Sequence, residues 1–352
     1  MQYRKQDLLS RPVEHVDIKK HDVSALLGDM AEMSFTARDL STAARYLDLM
    51  LADRDCGIFL GLAGSLVSAG LKQVIIDMID CNMVDAIVST GANIVDQDFF
   101  EAQGFRHYIG RRDIADSDLR SLGIDRIYDT FIDEDDLKAC DMAVAAIAES
   151  LRPRAYSSRE FIDAMGTWLD GHRSTDASIV YRCHKKGVPI FCPAFSDSSA
   201  GFGLVHHQWN AAGDVVSVDS VRDFLELTKL KLELRDTGII LIGGGVPKNF
   251  IQDAVVACEV IGYERPMHKY ALQITVADER DGGLSGATLR EARSWGKVDN
   301  AHEQMVFAEA TLALPLLVGA AYHRGAWRQR AERRLAVMLD RWHETRQAVG
   351  TH

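Results

Sequence analysis

No two of the six cysteines form a CxxC pairing, and no repeat, low-complexity linker or proline-rich stretch interrupts the 352 residues. Cys56, Cys81, Cys140, Cys183, Cys192 and Cys258 lie mostly in apolar runs, as buried thiols of a reducing compartment do, so a disulfide framework is not expected. Long hydrophobic runs are also missing. The most apolar stretches, Phe59 to Leu71 and Leu312 to Tyr322, are too short and too rich in Gly, Ser or Ala to span a bilayer. The start, Met1-Gln2-Tyr3-Arg4-Lys5, is polar with no apolar segment after it, which points to a cytoplasmic protein. A basic balance is absent too: the formal net charge of −11 argues against nucleic acid as the main partner, because phosphate binding needs a basic face. Arginines do cluster locally, at Arg328, Arg330, Arg333 and Arg334. There Trp327, Leu335, Met338, Leu339 and Trp342 recur at helical spacing, which predicts an amphipathic helix over 323–352 packed on the body.

What is present is a globular composition, 47% hydrophobic and 26% charged, in a chain long enough to bury a substantial core. Apolar β-type runs alternate with helical patterns. Cys56–Leu60, Asp85–Ser89, Pro189–Pro193, Gly238–Ile242 and Ala271–Ala277 read as strands. Leu66, Val67, Leu71, Val74, Ile75, Met78 and Ile79 mark one helical face, and Val221–Leu234 and Phe250–Val260 are further helices. Continuous apolar strands separated by helices predict an α/β, Rossmann-like fold: a mostly parallel sheet with helices on both faces, spanning 37–322. Residues 1–36 form an extension in which Val23, Leu26, Leu27 and Met30 suit a docking helix or a lid. Asp133-Glu134-Asp135-Asp136 is expected to start a helix as a solvated face.

In such folds a ligand sits beyond the carboxyl ends of the strands. Three glycine-bearing loops occupy equivalent strand ends: Gly61 with Gly64-Ser65, Ser89-Thr90-Gly91-Ala92-Asn93, and Gly243-Gly244-Gly245. Together they suggest a dinucleotide, although they do not make one GxGxxG fingerprint and an ordinary dehydrogenase is not indicated. Lys297, in Ser294-Trp295-Gly296-Lys297, stands beside an indole. Desolvation there favours a neutral, nucleophilic amine, whereas the ring face favours the cation. Tyr270 and the histidines His206, His207 and His268 show no ligand spacing with cysteines or carboxylates, so no catalytic metal is expected.

From about Phe59 to about Tyr322 the chain resembles the deoxyhypusine synthase family. The matches are Asn82-Met83-Val84-Asp85 with the following Ser-Thr-Gly, Pro193-Ala194-Phe195-Ser196-Asp197 and Gly243-Gly244-Gly245-Val246-Pro247-Lys248. To these are added Glu291-Ala292-Arg293-Ser294-Trp295-Gly296-Lys297 and Pro315-Leu316-Leu317-Val318. The resemblance implies NAD as cofactor and a homotetramer with active sites at subunit interfaces. It implies a reaction in which a polyamine carbon gives hydride to NAD, a lysine captures the resulting imine carbon, an acceptor amine displaces the lysine and the retained hydride returns. Lys297 falls on the nucleophile, and Glu291 and Trp295 on substrate-pocket positions. Cofactor positions fall on Gly64, Ser65, Ser68, Thr90, Gly91, Ala92, Asp96, Asp197, Gly244, Val276, Ala277, Glu309 and Ala310.

Three polyamine-contacting positions depart from the family pattern. A carboxylate is replaced by Phe202, a histidine by Asn249, and an aspartate just after Asp281-Gly282 by Leu284, with Gly282 retained on the substrate side. Each lost carboxylate removes an ammonium anchor of about 1–3 kcal/mol in a partly dry site. Asp278, Glu279 and Asp281 are alternative sources of the missing charge. The expected activity is therefore aminobutyl transfer to a small polyamine acceptor, of the homospermidine-forming type. The rival readings are modification of a lysine on a translation initiation factor and an NAD-binding protein without catalysis.

Overall fold

A computed structural model of the protein describes residues 3–172 and 177–349. Six parallel strands, numbered along the chain, make the main sheet: β1 (Gly57–Leu62), β2 (Ala86–Ser89), β3 (Ile190–Phe191), β4 (Thr237–Ile242), β5 (Tyr270–Thr275) and β6 (Glu303–Phe307). Their spatial order is 3-2-1-4-5-6, the doubly wound arrangement. Every residue of β1, β2, β4 and β5 is buried, as unbroken apolar runs require when helices cover both faces. Alternate residues feed opposite cores. Ile58, Leu60, Ile240, Ile242, Leu272 and Ile274 join one cluster, and Phe59, Ile239, Leu241 and Ala271 the other. The strand order reverses between β1 and β4, so the ligand crevice of this architecture lies above their carboxyl ends.

Differences from the sequence expectation have local causes. The run from Ala271 ends as a strand at Thr275, whose hydroxyl accepts the Ala277 N–H, so Val276 and Ala277 belong to the following loop. After β1 the chain forms a π-helical turn, Val67–Leu71, with Gly70 at φ +94°, before the Lys72–Asp80 helix. Edge strand β6, Glu-Gln-Met-Val-Phe, escapes notice because only Val306 is fully buried. A small antiparallel sheet of Tyr108–Ile109, Thr130–Asp133 and Ile124–Ile127 is likewise absent from the apolar pattern.

The single C-terminal helix expected over 323–352 is not formed. Ala310–Arg324 ends at Gly325 (φ +77°), a short 3-10 turn covers Ala326–Gln329, and a new helix starts only at Leu335. Arg330 breaks the helix by turning inward. Its Nη2 lies 2.6 Å from Asp85 Oδ2 and its Nε donates to the Asn82 carbonyl, while Asp85 also accepts the Ile58 N–H. Thus Arg330 pins the amino ends of β1 and β2. At the other terminus Leu27, in the Ser24–Asp29 helix, is fully buried and that helix packs on Ala310–Arg324, which is docking. The acidic run behaves as expected, Asp133 capping the Glu134–Ser150 helix through the Asp135 N–H. Among the described residues no helix is long and apolar enough to cross a membrane.

Candidate active site

At the carboxyl edge of the sheet, side chains of one loop tie up the backbone of the next. Asn93, fully buried, accepts the Leu66 N–H at 2.8 Å and donates to Thr90 Oγ1, and the Thr90 hydroxyl in turn reaches the Gly64 carbonyl at 3.4 Å. Gln97 accepts the Ser68 N–H. A Cβ at Gly91 would stand 2.4 Å from Ser198 Oγ, so only glycine lets the 89–92 loop touch the 193–198 loop. A Cβ at Gly244 would lie 2.3 Å from the Cα of Ser285, which seals the β4 loop to the β5 loop. By contrast Gly64 (φ +79°) and Gly245 (φ +60°) face open space. The loops therefore present bare, uncrowded backbone at the head of the Gly245–Val260 helix. Backbone N–H groups at a helix start suit a pyrophosphate, so these residues fit a dinucleotide such as NAD.

Lys297 lies elsewhere on the same chain. Its carbonyl accepts the His268 N–H, and Val298 bridges His268 in parallel register, which fixes the lysine backbone just before β5. The side chain enters a cavity of about 690 Å³ between the Ser220–Glu233, Gly245–Val260 and Leu289–Ser294 helices. Along the middle helix Asn249, Asp253, Val256 and Val260 face the cavity at helical spacing, polar first and apolar later. Phe224, Leu225, Leu284 and Trp295 complete the apolar lining. Lys297 Nζ sits 2.5 Å from Asp253 Oδ1 and 5.3 Å from the centroid of the Trp295 ring. A carboxylate and an indole face are thus the two partners that the cavity offers this amine.

The other cavity lysine is the desolvated one. Lys248 is fully buried and donates to Gln273 Oε1 at 2.9 Å and to the Ala287 carbonyl. Burial pulls its ammonium down to about 8, with the charge of Glu291 opposing and that of Lys297 assisting. After β2, burial raises the Asp96 carboxyl to about 6, with Asp141 and Asp197 adding like charge. The Asp96 carboxylate accepts the Ser199 N–H at 2.6 Å.

The expected residues thus fall into two groups. Lys297, Glu291, Trp295, Asn249 and Leu284 share the cavity. Gly64, Ser65, Thr90, Gly91, Ala92, Asp197, Gly244, Val276 and Ala277 lie on the carboxyl-edge loops, and none lines the cavity. Ser68 is buried beneath its loop, its hydroxyl turned to the Ser65 carbonyl. Glu309 caps the Ala310–Arg324 helix through the Thr311 N–H, a structural duty it carries with Ala310 beside it. Phe202 and Gly282 lie outside the cavity. Phe202 is two-thirds exposed on the Ser199–Asn210 helix, and Gly282 (φ +73°) ends a 3-10 turn. Asp278 is bonded to Arg280, and Asp281 to the Gly283 N–H, so neither replaces the missing cavity charge. The carboxylates that do line it are Glu291 and Asp253. Asp253 and Lys248 were missed by sequence reasoning, although Asp253 stands one helical turn after Asn249.

The deoxyhypusine synthase family model matches residues 25–321. A deoxyhypusine synthase-like protein of Chlorobaculum parvum is 62% identical over 338 residues, covering 96% of this chain and 97% of the relative. A protein of the same description from Elusimicrobium minutum is 56% identical, covering 90% of this chain and 85% of its own. A solved structure from Entamoeba histolytica, assigned provisionally as a deoxyhypusine synthase, superposes with a TM-score of 0.61 at 19% identity, covering 91% and 99% of the two chains. That last likeness concerns the fold.

Proposed function

The chain belongs to the deoxyhypusine synthase family, and from that premise we propose that it is an NAD-dependent aminobutyl transferase that works through an imine on Lys297 and serves a small amine acceptor, forming a homospermidine-type polyamine. The observation that carries the reading is the cavity itself, where an amine, two carboxylates and an indole meet on an otherwise apolar wall. Bound NAD would supply the hydride chemistry, which no side chain of the cavity can perform. The glycine loops hold and orient that cofactor, and Asn93 and Gln97 keep their backbone in shape.

Glu291 offers a carboxylate to a substrate ammonium, and Phe224, Leu225, Val256 and Trp295 flank the methylene chain. Lys297 Nζ forms the covalent link. Leu284 and Asn249 leave the cavity with fewer charged anchors than the family pattern provides, which favours a short amine over a donor gripped at every nitrogen. A flexible alkyl amine bound by few anchors is a small acceptor, and this supports the polyamine product over a protein lysine.

The cavity begins at Lys248 and Leu284, beside the contact of Gly244 with Ser285, but Lys297 meets Asp253 eight residues, about 12 Å, down the helix from Gly245. This separation supports an oligomer, a tetramer in this reading, in which one copy's loops face another copy's cavity.

The test is incubation with NAD and a panel of diamines and triamines, followed by borohydride. An aminobutyl adduct on the Lys297 peptide, absent in Lys297→Ala, is the expected result. A protein that forms no adduct with any amine of a broad panel contradicts the proposal. Supplying 1,4-diaminobutane and an initiation-factor lysine as competing acceptors separates the two transferase readings.

A further inference from the structure

Asp253 has no part in the family resemblance, yet its carboxylate touches the Lys297 amine more closely than any other cavity group recorded for that amine. Resting on the transferase reading above, we propose that Asp253 is the counter-ion of Lys297 throughout the reaction, facing first the ammonium and then the positively charged imine built on the same nitrogen.

The charge balance of the capture step explains why a fixed anion belongs there. Lys297 enters as an ammonium with three protons, and the oxidised donor presents a neutral C=N bond. A new C=N bond forms between the donor carbon and Lys297 Nζ, and the bond from that carbon to the donor nitrogen breaks. Two protons pass to the departing nitrogen, which leaves as a neutral amine, while Nζ keeps one proton and the positive charge. No oxidation or reduction occurs in this step. One proton must pass from Nζ to the imine nitrogen before the lone pair can attack, and the charge returns to Nζ as the new bond forms, so one carboxylate stabilises both the ammonium at the start and the protonated imine at the end. A protonated imine is also the electrophile that the acceptor amine must attack, and a neighbouring anion keeps it protonated.

Placement supports the role. The Lys297 side chain is 13% exposed and that of Asp253 is 28%, so the pair is shielded without being sealed from an entering amine. The other charged groups lining the cavity are Lys248 on the same helix and Glu291 on Leu289–Ser294, while the Ser220–Glu233 helix contributes only Val221, Phe224, Leu225 and Thr228. Glu291 acts electrostatically on Lys248, and Asp253 is the carboxylate at ion-pair distance from Lys297. Because Asp253 holds the resting amine as a cation, it restrains the lysine from reacting with stray aldehydes and still assists the reaction with a charged intermediate.

These two effects have opposite signs, and the experiment reads both. Lys297 is labelled with butanal and borohydride across pH 6–10, with no NAD or polyamine, and the modified peptide is quantified by mass spectrometry. In Asp253→Asn, labelling of Lys297 at neutral pH is expected to rise several-fold, because the amine has lost the carboxylate that pairs with it. Aminobutyl transfer by the same variant, with NAD and the best donor, falls on the order of 100-fold in kcat with little change in KM. Asp253→Glu, which restores a carboxylate, returns labelling toward the parent. Labelling at neutral pH that does not rise in Asp253→Asn, or that Asp253→Glu leaves as raised as Asp253→Asn does, overturns the proposal. If labelling rises as expected but the parent transfers nothing from any donor, the pairing stands and the transferase reading is what fails.

Discussion

The two edges of the parallel sheet are built by opposite means. At the carboxyl edge, shape comes from missing side chains: Gly91 and Gly244 allow backbones to touch, and Gly64 and Gly245 leave a bare cradle. At the amino edge, shape comes from long, charged side chains driven inward. Arg330 reaches Asp85, and Lys231 donates to Thr237, which also meets His268, which holds the Lys297 segment. One edge is shaped by the close approach of bare backbone. The other fixes the Lys297 segment by a chain of buried polar contacts, and an error anywhere along it displaces that lysine.

The contrast can be broken most severely at Lys297. Lys297→Ala is expected to abolish the trapped adduct and turnover while leaving NAD affinity, measured by calorimetry, unchanged. Next in size is Arg330→Ala, which leaves Asp85 buried without its principal cation. Unfolding in urea should show a loss of about 3–5 kcal/mol, with cofactor affinity preserved in the fraction that remains folded.

Acid should act on the same edge. Burial holds the His268 ring down to about 3 from 6.5, with the charge of Lys231 adding. The folded value is below the unfolded one, so between about pH 6.5 and pH 3 the unfolded chain binds more protons, and stability falls as the pH is lowered through that window. The expected loss is a few kcal/mol, and His268→Gln, which cannot take up the proton, should flatten the decline measured by denaturation at pH 7 and pH 4. The smallest effect is expected at the other edge. Gly244→Val pushes a side chain into Ser285, costs about 1–3 kcal/mol and weakens NAD at least ten-fold by local distortion, while butanal labelling of Lys297 is unaltered.

The same division explains what the sequence made legible. Glycine clusters after apolar strands are local signals, so β1, β2, β4 and β5 and their loops are readable from Phe59, Val88, Ile239–Ile242 and the residues that follow. Lys297 with Trp295 and Glu291 lies within one short segment and is equally readable. Pairings across the chain are not. Arg330 and Asp85 are 245 positions apart, so nothing in the helical spacing of Trp327 and Leu335 warns that the helix breaks between them. Asp253 carries no local mark as a partner for Lys297, since a carboxylate on a helix usually faces water. The 108–133 sheet escaped because short strands such as Ile124–Ile127 bury only their first residue.

Complementation most directly tests the proposal that Lys297 of one copy and the glycine loops of another complete a single site. Lys297→Ala and Gly244→Val chains are unfolded together and refolded as mixed oligomers, and aminobutyl transfer is measured beside each variant refolded alone. Random pairing leaves one intact site in each mixed pair, so about a quarter of parental activity should return. Activity no greater than the sum of the two separate variants would contradict the account.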